Sequence, residues 1–154
     1  MAYMGMQVLH AEKILIGTTG LDRLDGEGVA LYNAGIGFGL GLSQSETGDV
    51  VLGKAINLPN EKIVKSIKVF VNADSSKKIN VFLFHADKYG VLGPIASKSD
   101  ITGLGPGTQK IVLDMIESGH IVNTKKYEYV LVIEFEDGGD DDALVFYSMK
   151  IRLV

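Results

Sequence analysis

Val64-Lys65-Ser66-Ile67-Lys68-Val69-Phe70-Val71 is the stretch that decides the fold class. Its period is two: Ile67, Val69 and Val71 share one face, and Ser66, Lys68 and Phe70 share the other. That alternation marks a strand with one buried face, since successive side chains of a strand point to opposite sides. Ile79-Asn80-Val81-Phe82-Leu83-Phe84-His85 repeats the pattern after Asn72-Ala73-Asp74-Ser75-Ser76. The Asn, Asp and Ser of that connection close tight turns through their own side chains. Together the two runs predict a β-hairpin.

Two further runs are as strong. In Tyr127-Glu128-Tyr129-Val130-Leu131-Val132-Ile133-Glu134-Phe135 the odd positions are all large and apolar, and the middle even positions are valines. The centre of this strand is expected to be covered on both sides, its ends on one. From Ala143 to Val154, Val145, Tyr147, Met149, Ile151 and Leu153 alternate with Leu144, Phe146, Ser148, Lys150 and Arg152. Weaker strands are read at 7–16, 28–32, 36–42, 50–56, 94–97 and 109–114. No long window keeps a helical period; residues 59–63 and 115–119 each suit a single turn. Strands about 8–15 residues apart, separated by Gly, Asp, Asn or Ser, predict an all-β fold. The expectation is one antiparallel, jelly-roll-like β-sandwich over residues 1–154, with about 8–10 strands.

The composition agrees and excludes much. A chain of 154 residues with 46% hydrophobic and 22% charged residues has the balance of a globular domain, not of a disordered tail. Zero cysteine removes disulfides, thiol nucleophiles and cysteine-held zinc or iron–sulfur sites. A net charge of −4 argues against nucleic acid as a partner. The lysines near residues 62–68, 77–78 and 125–126 read as solvated loop charges. The first six residues carry no basic segment and no apolar run follows, so neither a signal peptide nor a membrane span is expected. The cytoplasm, or a virion assembled there, is the expected compartment.

Three motifs carry candidate chemistry. Gly35-Ile36-Gly37-Phe38-Gly39-Leu40-Gly41-Leu42 lacks the G-x-G-x-x-G spacing of a dinucleotide loop. As a strand it puts four glycines on one face and Ile36, Phe38, Leu40 and Leu42 on the other. The bare face admits close packing, either by a facing sheet or by a second subunit. In the second case Ile36, Phe38, Leu40 and Leu42 are the subunit contact. Glu136-Asp137-Gly138-Gly139-Asp140-Asp141-Asp142 reads as a solvated acidic loop, with Ca²⁺ held by Asp137, Asp140 and Asp142 as the alternative. Among His10, His85 and His120 no two stand at metal-ligand spacing along the chain. His85 with Asp87, or His120 with Glu117, would serve an enzyme, but no nucleophile elbow or catalytic motif accompanies them.

The strands from Leu58-Pro59 through 67–72 and 79–84, then Tyr127-Glu128-Tyr129 and Phe146-Tyr147-Ser148-Met149-Lys150-Ile151, resemble a β-sandwich pattern of uncharacterised bacterial, archaeal and phage proteins. They are also similar to the jelly rolls of viral structural proteins and of carbohydrate-binding modules. The resemblance spans roughly residues 56–154 and transfers no catalytic residue. It departs from binding modules in lacking tryptophan.

The leading expectation is a non-enzymatic structural protein that self-associates into a homo-oligomer. A positive mean hydropathy, more apolar than one small sandwich needs, supports it. The alternative is a carbohydrate- or peptide-binding module, with Ca²⁺ dependence as a variant and Tyr3, Tyr32, Tyr89 and Tyr127 as contact aromatics.

Overall fold

The computed structural model describes residues 12–17, 22–26, 30–33, 41–44, 48–73, 77–138 and 144–154. In chain order the strands are β1 (Glu12–Ile16), β2 (Asp22–Gly26), β3 (Ala30–Asn33), β4 (Gly41–Gln44), β5 (Gly48–Ile56) and β6 (Val64–Ala73). They continue as β7 (Lys78–Ala86), β8 (Leu92–Ile101), β9 (Gln109–Val112), β10 (Asp114–Met115), β11 (Glu128–Gly138) and β12 (Leu144–Leu153). The twelve strands among the described residues exceed the expected number because several are pieces of two to five residues. No helix occurs among the described residues, and none is long and apolar enough to cross a membrane.

The strands form two antiparallel sheets. One has the order β3-β4-β12-β6-β9, with β1 pairing the C-terminal half of β12 on the edge whose other half meets β4. The other runs β10-β8-β7-β11-β5-β2. The inward faces make one apolar cluster: Ile67, Val69 and Val71 of β6, Met149 and Ile151 of β12, Ile79, Val81 and Leu83 of β7, and Leu131, Ile133 and Phe135 of β11. This is the antiparallel β-sandwich expected from the sequence.

The expected hairpin between residues 64–71 and 79–85 does not form. β6 pairs with β12 and β9, whereas β7 pairs with β11 and β8. The connection therefore crosses from one sheet to the other, and so does the acidic connection from β11 to β12. Alternation gives the same pattern in both cases. In a hairpin the two apolar faces lie side by side; here they face each other across the core.

β12 also departs from simple alternation. Tyr147, placed by alternation on the same side as Met149 and Ile151, is half-exposed, and Phe146, placed on the other side, is fully buried. The ladder with β6 shifts between Phe146 and Ser148, so Tyr147 is the extra residue of a bulge that reverses the phase. On β11, Val130 and Val132 are half-buried, less covered than the valine pair suggested.

Asn80 is a buried polar residue in β7, where the ladder with β8 also shifts. Its Nδ2 donates to Glu134 Oε1 at 2.6 Å, and its Oδ1 accepts from the Asp100 amide at 2.7 Å. Asp100 holds a φ of 58°, a conformation costly for a side-chain-bearing residue. Replacing Asn80 with Ala leaves that amide and the Glu134 oxygen without their partner. A loss of about 1–3 kcal/mol in urea-measured stability is expected.

Candidate functional site

The solvent face of the β12–β6 sheet is built by alternation. When Ile67, Val69 and Val71 point inward, Ser66, Lys68 and Phe70 must point outward. On β12 the bulge sets the phase so that Ser148, Lys150 and Arg152 lie on this side, opposite Phe70, Lys68 and Ser66. The flanking strands extend the rows. Arg152 faces Lys13 of β1, Lys150 faces Leu15, Lys68 faces Val112 of β9, and Phe70 faces Lys110.

The outcome is a groove of about 620 Å³ lined by Lys13, Ser66, Lys68, Phe70, Lys110, Lys150 and Arg152. Five of these seven are cations, and among the described residues no carboxylate lines the groove. The ion pairs of Lys78 with Asp100 and of Lys98 with Asp114 lie elsewhere, and among the described residues none neutralises the groove. Two like-charged pairs, Lys13–Arg152 and Lys150–Lys68, stand directly across from each other, an arrangement that destabilises a sheet. The cations are spaced about 5 Å across strands and about 7 Å along one. A face of this kind offers several fixed positive charges around one aromatic ring, on a chain whose net charge is −4.

A second cluster lies at one end of the sandwich. His85, near the end of β7, sits in register between Gly93 of β8 and Tyr129 of β11. Glu117 and His120 come from the turn after β10, where Gly119 takes a φ of +77°. That left-handed residue lets the turn close so that both side chains point the same way. The His85 Nε2 donates to Glu117 Oε2 at 2.8 Å, and the His120 Nδ1 donates to Glu117 Oε1 at 3.0 Å. The His120 Nε2 then accepts from the Tyr129 hydroxyl at 2.8 Å, and that oxygen accepts from the Asn123 amide. The two imidazoles stack at 5.1 Å, and Tyr127 covers His85 at 4.3 Å.

The hydrogen bond from His120 holds the Glu117 carboxyl below its ordinary range; partial burial opposes this, and the bond from His85 adds to it. Burial pushes the Tyr129 hydroxyl up, against the Asn123 amide.

Of the residues singled out in the sequence, the structure joins His120 to Glu117 and adds His85, which the chain spacing did not suggest. His85 does not pair with Asp87, whose carboxylate instead accepts from the Tyr89 and Val91 amides and caps the turn. Tyr127 is half-buried in the histidine cluster, and Tyr89 is exposed. Ile36, Phe38, Leu40, Asp140 and Asp142 lie outside the described residues. The backbone of Leu42 pairs with Phe146 and Tyr32, and that of Asp137 belongs to β11; their side chains lie outside what is described. Ser66, Lys68 and Phe70 already share a side in the sequence, but Lys68, expected with the lysines of 62–68 to be a solvated loop charge, lies within β6 and on this face. Lys13 and Lys110 join it only through the strand order.

No known protein family matches the chain, and no curated protein matches it in sequence. Solved structures match in shape. Carbohydrate-binding modules of the β-sandwich super family, studied for promiscuous specificity, align at 12% identity and a TM-score of 0.50, over 88% of this chain and 56% of theirs. This chain therefore spans about half the length of that structure. A family 16 carbohydrate-binding module aligns at 18% identity and a TM-score of 0.45, over 90% and 92%. The enzymatically active domain of tailspike protein 4 from bacteriophage CBA120 aligns at 10% identity and 0.47, over 96% and 20%. The likeness is one of fold, a β-sandwich of the jelly-roll kind, as the sequence led us to expect.

Proposed function

We propose that the protein is a non-catalytic binding module whose basic sheet face takes an acidic polysaccharide. The observation that carries this reading is the groove itself: five cations, four of them in two directly opposed like-charged pairs, with no carboxylate among the described lining residues. Cross-strand repulsion costs stability, and an anionic polymer laid over the face removes it. Phe70 in the floor offers an apolar surface to a sugar ring, and Ser66 a hydroxyl. Single-stranded nucleic acids are held by several aromatics on which successive bases stack; among the described residues this groove has one. A sandwich of this shape is also the frame of modules that bind carbohydrate. The self-assembly reading stood on residues 35–42 and on surplus apolar content; the binding reading stands on described side chains.

The test is titration calorimetry with polygalacturonate, with a neutral β-glucan and a single-stranded oligonucleotide of matched charge as comparisons. Polygalacturonate binding is expected, with affinity falling steeply as salt rises. The double variant Lys68→Gln, Lys150→Gln should bind about 100-fold more weakly and lose about two units of salt slope. It should melt no lower than the parent, since it removes a repulsive pair. Equal binding by parent and variant would sink the assignment of the face. Tighter binding of the oligonucleotide would hand the face to nucleic acid.

A further inference from the structure

We infer that His85, Glu117 and His120 form a binding site for a divalent transition metal of the zinc class, independent of the basic face. Each residue offers one ligand atom, and the three atoms lie within 4.8 Å of one another. Two imidazoles and one carboxylate are a donor set that zinc accepts, with a fourth position left for water. Ca²⁺, which takes six to eight oxygens, is not served by it.

The site is built before any metal arrives. His120 is buried, and its outer nitrogen is held by Tyr129, whose oxygen is itself fixed by the Asn123 amide. A partner on the far nitrogen is what orients a metal-bound imidazole. His85 is clamped between Gly93 and Tyr127. Glu117 is the exposed member and the one free to move. Its oxygens stand 2.8 and 3.0 Å from the two nitrogens, whereas ligands around a tetrahedral zinc stand about 3.3–3.5 Å apart. A small outward shift of that carboxylate opens the space.

Metal binding asks both imidazoles to change tautomer, with no net proton lost. On His120 the proton moves to Nε2 and donates to the Tyr129 oxygen, which has a second lone pair. On His85 it moves to Nδ1, which is buried and has no partner among the described residues. That orphan weakens the site relative to a closed structural zinc centre, so a dissociation constant on the order of 1–10 µM is expected.

The experiment starts from protein stripped with a chelator and dialysed. Zn²⁺ is titrated by calorimetry and by melting temperature, with Co²⁺ as a visible-absorbing probe and Ca²⁺ as a comparison. One Zn²⁺ per chain is expected, with a rise of about 5–10 °C at hundredfold excess over the dissociation constant. Co²⁺ should give tetrahedral absorption bands, and Ca²⁺ should do nothing. Glu117→Gln changes an exposed residue and should fold, yet bind at least about tenfold more weakly. His85→Asn should do the same and lose the Co²⁺ bands. No heat and no melting shift at 100 µM Zn²⁺, or binding of undiminished strength in both variants, would overturn the inference. The second result would place the metal elsewhere, such as the acidic connection after β11.

Discussion

Leu131→Ala is expected to lower the stability of the fold by about 3 kcal/mol. Leu131 occupies the middle of β11, in the interior of its sheet, with Leu83 of β7 and Lys54 of β5 as its register neighbours. It is fully buried in the apolar cluster. Truncation forfeits the transfer free energy of three carbons and leaves a cavity that neighbours on two paired strands cannot easily fill. For a chain of this length the melting temperature should fall by about 6–12 °C. The adjacent change, Val132→Ala, is the internal comparison. Val132 points to the half-exposed outer face and should cost under about 1 kcal/mol. If the two effects were reversed, the phase of β11 would be inverted, and with it the side on which every neighbouring strand presents its charges.

That contrast marks what the sequence makes legible. Period-two alternation located β6, β7, β11 and β12 and named the inward residues of three of them. It failed on β12 between Val145 and Tyr147, where a bulge inserts one residue and no side-chain pattern records it. It failed also on pairing. The hairpin expected between β6 and β7 and the strand exchange that occurs bury the same residues, so burial cannot tell them apart. β2, with the sequence Asp-Arg-Leu-Asp-Gly, was not foreseen because it has no alternation; it exists through backbone pairing to β5. The two sites follow the same division. Lys68 and Phe70, or Lys150 and Arg152, share a face by alternation alone. Bringing β1, β12, β6 and β9 side by side is a matter of topology, and only then do scattered lysines become a groove. His85 and His120 are 35 positions apart (120 − 85), and the left-handed turn at Gly119, not their spacing, brings the second to the first.

Gly93→Ala is expected to destabilise by about 2–4 kcal/mol, against the sign that the backbone alone would give. Gly93 lies within β8, and its φ lies outside the left-handed region that excludes alanine. In such a position Gly→Ala ordinarily stabilises by about 0.4–1 kcal/mol, because it restricts the unfolded chain. Here the added methyl would overlap Cε1 of the His85 ring and stand 2.7 Å from its Nε2. The ring is held by Glu117 on one side and Tyr127 on another, so it cannot yield without leaving the carboxylate. Swinging out breaks that bond, exposes the stacked face of His120 and uncovers Tyr127. A second background separates this clash from a general intolerance of the strand to substitution. In His85→Ala the clash is gone, so adding Gly93→Ala should cost nothing further or stabilise slightly. A double-mutant cycle by urea denaturation of the chelated protein should therefore give a coupling of at least about 2 kcal/mol. Strict additivity would mean that the glycine serves the strand and not the histidine, and the preformed geometry of the cluster would lose its main structural support.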